Sequence, residues 1–262
     1  MTAFEDTATG RQLIEGGQPV AGSMSRAAAT VVFEPAAAVV QVDDRFAACL
    51  RTVAAATGAP ADRERVRAGA ALAFAVEYAA TLGRAGRRVR GDEFFAARAG
   101  GRPVADEIAD AVVGAARRSV DERRVRHLGY LLAETAFSPD VDAELVLRAL
   151  RLTEGLGWRQ VALLAGVGRR DRRPLPMAPL EDDPRTWSAW GAREDVADLQ
   201  RSGLLDPAIA VPRPGGAAIP RLRAADLRLT RRGVLLHRLL VLDLLHDDAV
   251  TGALADLGLP RS

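Results

Sequence analysis

The feature that most constrains the fold of this chain is a helical repeat of apolar residues, interrupted by Gly or Pro at short intervals. Apolar side chains recur every three or four positions, a spacing that places them on one face of an α-helix. Helices are predicted at residues 35–57, 61–82, 103–118, 121–137, 139–154, 158–166 and 186–202. Because the first five follow one another through short connections, the sequence predicts a mainly α protein that begins with an antiparallel helical bundle.

The same punctuation divides the chain into four parts. Residues 1–27 are predicted to be a flexible tail, and residues 28–166 form the bundle, in which residues 28–34 start a strand or lead into the first helix. Residues 167–186, rich in Pro and charge, are predicted to be a solvated loop or hinge. Residues 187–262 form a C-terminal module.

Several side chains are assigned to the core from their helical spacing. Cys49 lies on an apolar face, where a free thiol acts as a small hydrophobe rather than as a nucleophile. Glu134 and Tyr130 lie beside the apolar stripe of helix 121–137, which predicts a hydrogen-bonded polar group in the core. In the Arg-rich loop 83–102, Phe94 and Phe95 are expected to close the end of the bundle while the Arg side chains stay solvated. The remaining core assignments are Val66, Leu72, Phe74, Val76, Leu82, Val104, Ile108, Val112, Val125, Leu128, Leu131, Leu132, Phe137, Val141, Leu145 and Leu152.

Composition excludes several classes of protein. All 36 basic residues are Arg, which excludes chemistry that requires Lys, such as a Schiff base or a phosphate-loop Lys. Codon bias accounts for the abundance of Arg, so this abundance alone does not indicate nucleic-acid binding. The single Cys excludes an intramolecular disulfide and fits a reducing compartment. No apolar run approaches the length of a membrane span, and the first 18 residues do not resemble a signal peptide, so we expect a cytoplasmic protein that binds no membrane.

Positive charge is concentrated near the end of the chain. The formal net charge is only +2, but the stretch from Arg201 to Arg238 contains eight Arg against Asp206 and Asp226. A local excess of this kind is typical of a surface that meets an acidic partner or a polyanion.

One segment carries a family resemblance. The order Asp198-Leu199-Gln200-Arg201-Ser202-Gly203-Leu204-Leu205, then a turn at Gly215-Gly216, then Leu229-Thr230-x-x-Gly233, resembles the end of a MarR-like winged-helix domain, convincingly over residues 194–236. In that family a recognition helix runs into such a turn, a two-stranded wing follows, and Leu-Thr-x-x-Gly opens the last helix. The resemblance implies a winged-helix-like module with a small β-hairpin.

The charges depart from the DNA-reading form of that family. The would-be recognition helix 186–202 carries Glu194, Asp195 and Asp198 against two Arg, and phosphates repel such a face. The Arg surplus falls instead on the would-be wing and just after it. The candidate partner- or nucleic-acid-binding residues are therefore Arg213, Arg221, Arg223, Arg228, Arg231 and Arg232.

Motifs of catalysis are sparse. The sequence contains no nucleophile elbow, no phosphate loop and no dinucleotide fingerprint, so no cofactor is expected. His246-Asp247-Asp248 invites an HD-type metal site with His127 and Asp256. We favour the simpler interpretation that His246 completes the last turn of a helix and that Asp247 or Asp248 caps the next one.

The sequence thus predicts a non-enzymatic protein that acts by binding another macromolecule, as an adaptor, regulator or self-assembling subunit. Oligomerisation is expected through an apolar helix from Val234 to Leu245, whose Leu residues lie nearly all round it. The alternative is a winged-helix transcription regulator that binds DNA, and a remote one is a metal-dependent phosphohydrolase.

Overall fold

The computed structural model describes residues 45, 48, 62–96, 101–181, 184–208 and 221–257, which form a mainly α structure. The tertiary contacts group the residues into two compact units, and the boundary along the chain falls between Gly155 and Leu156. Of the predicted first helix, only Arg45 and Ala48 are described, and both are helical. The predictions for residues 1–34, for Cys49 and for the turn at Gly215-Gly216 lie outside the described residues.

Within the described ranges 62–96 and 101–155, the first unit contains four helices. They are α1 (Asp62–Arg84), α2 (Val104–Arg118), α3 (Glu122–Ala136) and α4 (Ala143–Gly155), with a 3-10 turn at Glu93–Phe95 before α2.

Cross-helix hydrogen bonds define the directions of these four helices. Arg117, at the end of α2, donates to Glu64 at the start of α1, so these two helices run antiparallel. Arg124, at the start of α3, donates to the Thr153 carbonyl at the end of α4. Arg63, at the start of α1, donates to Glu122 at the start of α3, so α1 and α3 run parallel. Consecutive helices therefore alternate in direction.

Helices α1 and α3 approach each other most closely at Gly129. A Cβ atom at this position would lie only 2.4 Å from the Ala71 carbonyl oxygen and 2.8 Å from the Phe74 Cβ atom. The absence of a side chain lets the two backbones meet, and Phe74 and Leu132 are buried on either side of the contact. The core of the unit lies along this contact and under α2.

Most of the predicted core residues of this unit are buried, but two helix boundaries differ by two residues or more. Helix α1 continues past Gly83 to Arg84, and the chain turns at Gly86, whose φ is +81°. Helix α4 begins at Ala143 rather than at residue 139, because the Ser138 hydroxyl donates to Glu134 and the Asp142 carboxylate caps α4 through the Leu145 amide. Leu145, assigned to the core from the sequence, is 38% exposed.

The prediction for the Arg-rich loop 83–102 is also partly wrong. Phe94 is buried as expected, but Arg90 is buried as well. Its guanidinium lies 4.4 Å from the Phe94 ring centroid, forms an ion pair with Asp92, and donates to the Val141 carbonyl. Burial with these three partners ties the loop to the segment just before α4.

The second unit contains the remaining elements. They are α5 (Trp158–Gly168), α6 (Trp187–Arg201), β1 (Leu205–Asp206), a 3-10 turn (Ala224–Asp226), β2 (Arg228–Leu229), α7 (Arg231–Leu239), a 3-10 turn (Leu242–Leu244) and α8 (Asp247–Asp256). Strands β1 and β2 are antiparallel, with Leu205 opposite Leu229 and Asp206 opposite Arg228. Helix α5 belongs to this unit, whereas the sequence placed it at the end of the bundle.

The Pro-rich loop before α6 is not a free hinge. The Leu180 amide donates to the Leu222 carbonyl, Pro179 forms an isolated bridge with Arg223, and the Ala225 amide donates to the Pro176 carbonyl. Leu175 and Leu180 are buried. The loop therefore packs along the segment that leads into β2.

The apolar segment from Val234 to Leu245 is not a single helix. Helix α7 ends at Leu239, Val241 adopts a left-handed conformation with φ +50°, and a 3-10 turn follows. This bend turns Leu236, Leu239, Leu240, Leu242 and Leu245 into the core of the unit, while Val234 and Leu244 remain exposed. No helix in the described part of the chain is long and apolar enough to cross a membrane.

Candidate interaction surface

Helix α6 presents one face to the core and the opposite face to solvent. Thr186 caps its first turn by accepting a hydrogen bond from the Ala189 amide. Ala192, Val196 and Leu199 are buried on the inner face. At 100° per residue, the outward stripe, which we call the α6 stripe, consists of Trp187, Trp190, Gly191, Glu194, Asp198 and Arg201.

The N-terminal half of the α6 stripe is aromatic. Trp187 is 85% exposed and Trp190 is 47% exposed. The two rings meet edge to face, with centroids 5.9 Å apart and planes at 86°. Ser188, beside them, donates to Asp256 on α8 and so links this end of the helix to the unit. A large aromatic surface is thus held in place and left open to solvent.

The C-terminal half of the α6 stripe is acidic. Glu194 and Asp198 both accept hydrogen bonds from Arg201, at 3.4 and 2.5 Å. Arg201 neutralises part of this charge, and its own pKa is raised by the hydrogen bond to Asp198. Asp195, to one side of the stripe, is paired with Arg159 of α5. The stripe therefore keeps a net charge of −1 from Glu194, Asp198 and Arg201.

The Arg residues predicted to bind a partner have different environments. Arg213 lies outside the described residues. Arg223 forms an ion pair with Asp226, and this hydrogen bond lowers the pKa of the Asp226 carboxyl. Arg228 donates to the carbonyls of Ala225 and Leu227. These contacts stabilise the turn before β2, so Arg223 and Arg228 have a structural role beyond their charge.

Of the other three predicted Arg residues, Arg231 and Arg232 lie in the first turn of α7, and Arg221 lies before β2. Arg232 donates to the Ser202 carbonyl at the end of α6, at 2.7 Å. Arg221 and Arg231 are exposed. The structure therefore brings Arg221, Arg223, Arg228, Arg231 and Arg232 to the surface of one unit, around β2 and the first turn of α7.

The local signals behind the winged-helix resemblance have clear structural roles. Gly203 ends α6 with φ +68°, a conformation that favours Gly. Thr230 caps α7 by accepting from the Gly233 amide at 3.0 Å, and its hydroxyl donates to the Gly203 carbonyl. A Cβ atom at Gly233 would lie 2.2 Å from the Leu204 carbonyl oxygen, so α7 begins directly against the chain that enters β1.

A buried polar cluster lies in the first unit, as the sequence predicted for Glu134. Its carboxylate, 4% exposed for the residue, accepts from Arg87 at 2.9 and 3.0 Å and from the hydroxyls of Ser138 and Tyr78. Burial and the neighbouring Glu134 charge raise the pKa of Tyr78 to about 12. Tyr130 is buried with its ring 4.9 Å from that of Tyr78. Arg87 also donates to the Phe137 carbonyl, so the cluster links α1 and the residues after it to α3. Its role is therefore to hold these segments together.

The residues nominated for an HD-type metal site do not form one. His246 precedes the first turn of α8, which carries Asp247 and Asp248, and does not complete a helix as the sequence suggested. Its ring faces solvent 3.7 Å from the exposed Asp248. Asp256 is engaged by Arg159 and Ser188, and His127 is buried in the other unit. Across the described ranges, no three His, Cys, Asp or Glu side chains are grouped as metal ligands would be.

The sequence predicts a helix over residues 186–202, but its two Trp residues were not expected to form a surface. A signal for it was present. Trp187 and Trp190 share the helical phase of Glu194 and Asp198, opposite that of Val196 and Leu199. An aromatic pair in phase with carboxylates indicates an exposed face.

Comparison of the chain with protein-family models, with curated proteins and with solved structures finds no match.

Proposed function

We propose that this chain is a non-enzymatic binding protein that recognises another protein through the α6 stripe. The observation that carries the proposal is the solvent exposure of Trp187 and Trp190, side by side on a helix whose other face is fully packed. Trp is strongly enriched among the residues that dominate binding energy at protein interfaces. An exposed aromatic pair of this kind on an ordered helix marks an interaction site.

The charge beside the two rings determines the class of partner. The winged-helix resemblance would make α6 a recognition helix, but Glu194 and Asp198 on its outer face repel the phosphates of a nucleic acid. The same carboxylates attract Arg or Lys side chains. The partner that fits is a protein surface with an apolar anchor for the rings and basic groups next to it.

The test is capture of partners with matched variants of the full chain. Wild type, Trp187→Ser/Trp190→Ser and Met177→Ser are immobilised and exposed to a lysate of the source cells, and retained proteins are quantified by mass spectrometry. Met177 is an exposed apolar residue of the same unit that lies outside the stripe. We expect the double Trp variant to lose proteins that wild type and Met177→Ser both retain. Identical sets from all three would contradict the proposal.

A second candidate function, binding of DNA by a winged-helix-like module, is favoured by one observation. Residues 221–238 contain six exposed Arg and a single Asp. Such a surface suits phosphates, and its binding would weaken steeply with salt.

Titration of a labelled duplex by fluorescence polarisation at several salt concentrations tests this alternative. The variant Arg221→Ala/Arg223→Ala/Arg228→Ala should weaken binding and reduce the salt slope. The charge-matched control removes Arg88, Arg102 and Arg118, three exposed residues of the first unit. Absence of salt-dependent binding at low ionic strength would exclude the alternative.

A further inference from the structure

The outward face of α7 has the opposite character to the α6 stripe. Arg231, Val234, Leu235 and Arg238 follow one another at helical spacing, while Leu236 and Leu239 are buried behind them. Val234 is 53% exposed and stands between the two Arg residues. The α7 face is therefore a basic helical surface with an apolar centre, about 10 Å long at 1.5 Å per residue.

The two faces are complementary in charge and in apolar content. The α6 stripe offers aromatic rings next to Glu194 and Asp198, and the α7 face offers Val234 and Leu235 between Arg231 and Arg238. Laid together in antiparallel directions, the rings cover the aliphatic side chains while Glu194 meets Arg231. Contacts that exclude water typically surround the residues that dominate the binding energy of an interface.

Both faces are exposed in the same chain, so neither is covered by the other within one molecule. A second copy of the chain offers its α7 face to the α6 stripe of the first, and its α6 stripe to the α7 face of the first. We propose that the protein self-associates by docking the α6 stripe of one copy on the α7 face of another. This inference rests on the proposed function, since it uses the same stripe and names its partner.

Symmetry strengthens the contact if the pairing is reciprocal. In a two-fold dimer each copy contributes one α6 stripe and one α7 face, so the same contact forms twice. Of the apolar segment from Val234 to Leu245, through which the sequence predicted oligomerisation, self-association then uses only Val234 and Leu235, because most of the other Leu residues are already buried in the unit.

Sedimentation velocity of the full chain, from low micromolar to the highest soluble concentration, tests the inference. We expect wild type to form a dimer and Trp187→Ala/Trp190→Ala to weaken dimerisation by at least about tenfold. Glu194→Arg and Arg231→Glu should each weaken it, and the double variant Glu194→Arg/Arg231→Glu should restore it. Met177→Ala and Arg88→Glu, which change exposed residues outside both faces, should leave it unchanged.

Two outcomes overturn the inference. One is a wild-type chain that stays monomeric at every concentration. The other is a dimer that the Trp and charge variants leave intact, or whose charge variants do not restore each other. If wild type is monomeric but still captures other proteins in a Trp-dependent manner, the inference fails while the proposed function stands. If Trp-dependent binding is absent in both experiments, both fail.

Discussion

Substitution of Gly129 by Ala should destabilise the first unit by about 1–3 kcal/mol. The added Cβ atom would lie 2.4 Å from the Ala71 carbonyl oxygen, about 1 Å short of the 3.4 Å at which ordinary contact begins. The obstacle is backbone, which cannot rotate away, so α1 and α3 must separate.

Three effects set the size of this change. Overpacking of a well-packed core costs about 1–3 kcal/mol. Separation of the helices by up to about 1 Å also forfeits a quarter to a half of the dispersion energy of the contacts it opens, which include those of Phe74. Against these, replacing Gly by Ala within a helix contributes roughly 1 kcal/mol. The unfavourable effects are larger, because the clash lies in the middle of the closest helix pair.

The chain offers a separate optical probe for each unit. Both of its Tyr residues, Tyr78 and Tyr130, lie in the first unit, and its three Trp residues lie in the second. Trp fluorescence during urea unfolding therefore reports the second unit alone, whereas near-ultraviolet circular dichroism contains Tyr and Trp signals from both units, so a transition seen only by circular dichroism belongs to the first unit. Gly129→Ala should lower the urea midpoint of that transition.

Gly114→Ala on α2 is the matched control. Its Cβ atom would meet only the guanidinium of Arg118, at 3.3 Å, and this flexible end can move. This variant should therefore be unchanged or up to about 1 kcal/mol more stable. A Gly129→Ala protein as stable as wild type, with an unchanged slope of unfolding free energy against urea, would refute the argument that Gly129 sets the spacing of the two helices.

Three further predictions concern single groups. Glu134→Gln should lower the pKa of Tyr78 from about 12 toward its ordinary value, because the Glu134 charge opposes the phenolate, and spectrophotometric titration with Tyr78→Phe as reference measures it. Burial lowers the pKa of His237 below 6.5, so the unfolded chain takes up a proton at a higher pH than the folded chain does. The second unit should therefore lose stability as the pH falls below 6.5. In urea unfolding monitored by Trp fluorescence, His237→Gln should show a smaller loss of stability over this pH range than wild type. Thr230→Ala should destabilise the second unit by about 1 kcal/mol, whereas Thr230→Ser should restore most of it, since the cap depends on the hydroxyl that accepts from the Gly233 amide.

The positions of most helices in the described chain, and the apolar side of each, could be predicted from the amino-acid sequence. Both properties follow from local periodicity, as in α2 and α3, where the predicted residues Ile108, Val112 and Leu131 are fully buried. Caps such as Asp121 and Thr230 were also predictable, because a cap acts on the amides of its own first turn. The polar environment of Glu134 was predicted as a type, though not its partners.

The way in which these elements pack against each other could not be predicted from the sequence and follows from the folded structure. The apolar pattern from Val234 to Leu245 is compatible with one continuous helix. In the structure the helix breaks at Val241, and Leu residues both before and after the break are buried in the unit. Periodicity likewise does not distinguish a Trp that is covered by a neighbouring helix from one that is not. The exposure of Trp187 and Trp190 depends on how much of α6 is covered by α5 and α8. Such contacts join segments that are distant in the sequence, so the spacing of apolar residues within one helix does not reveal them.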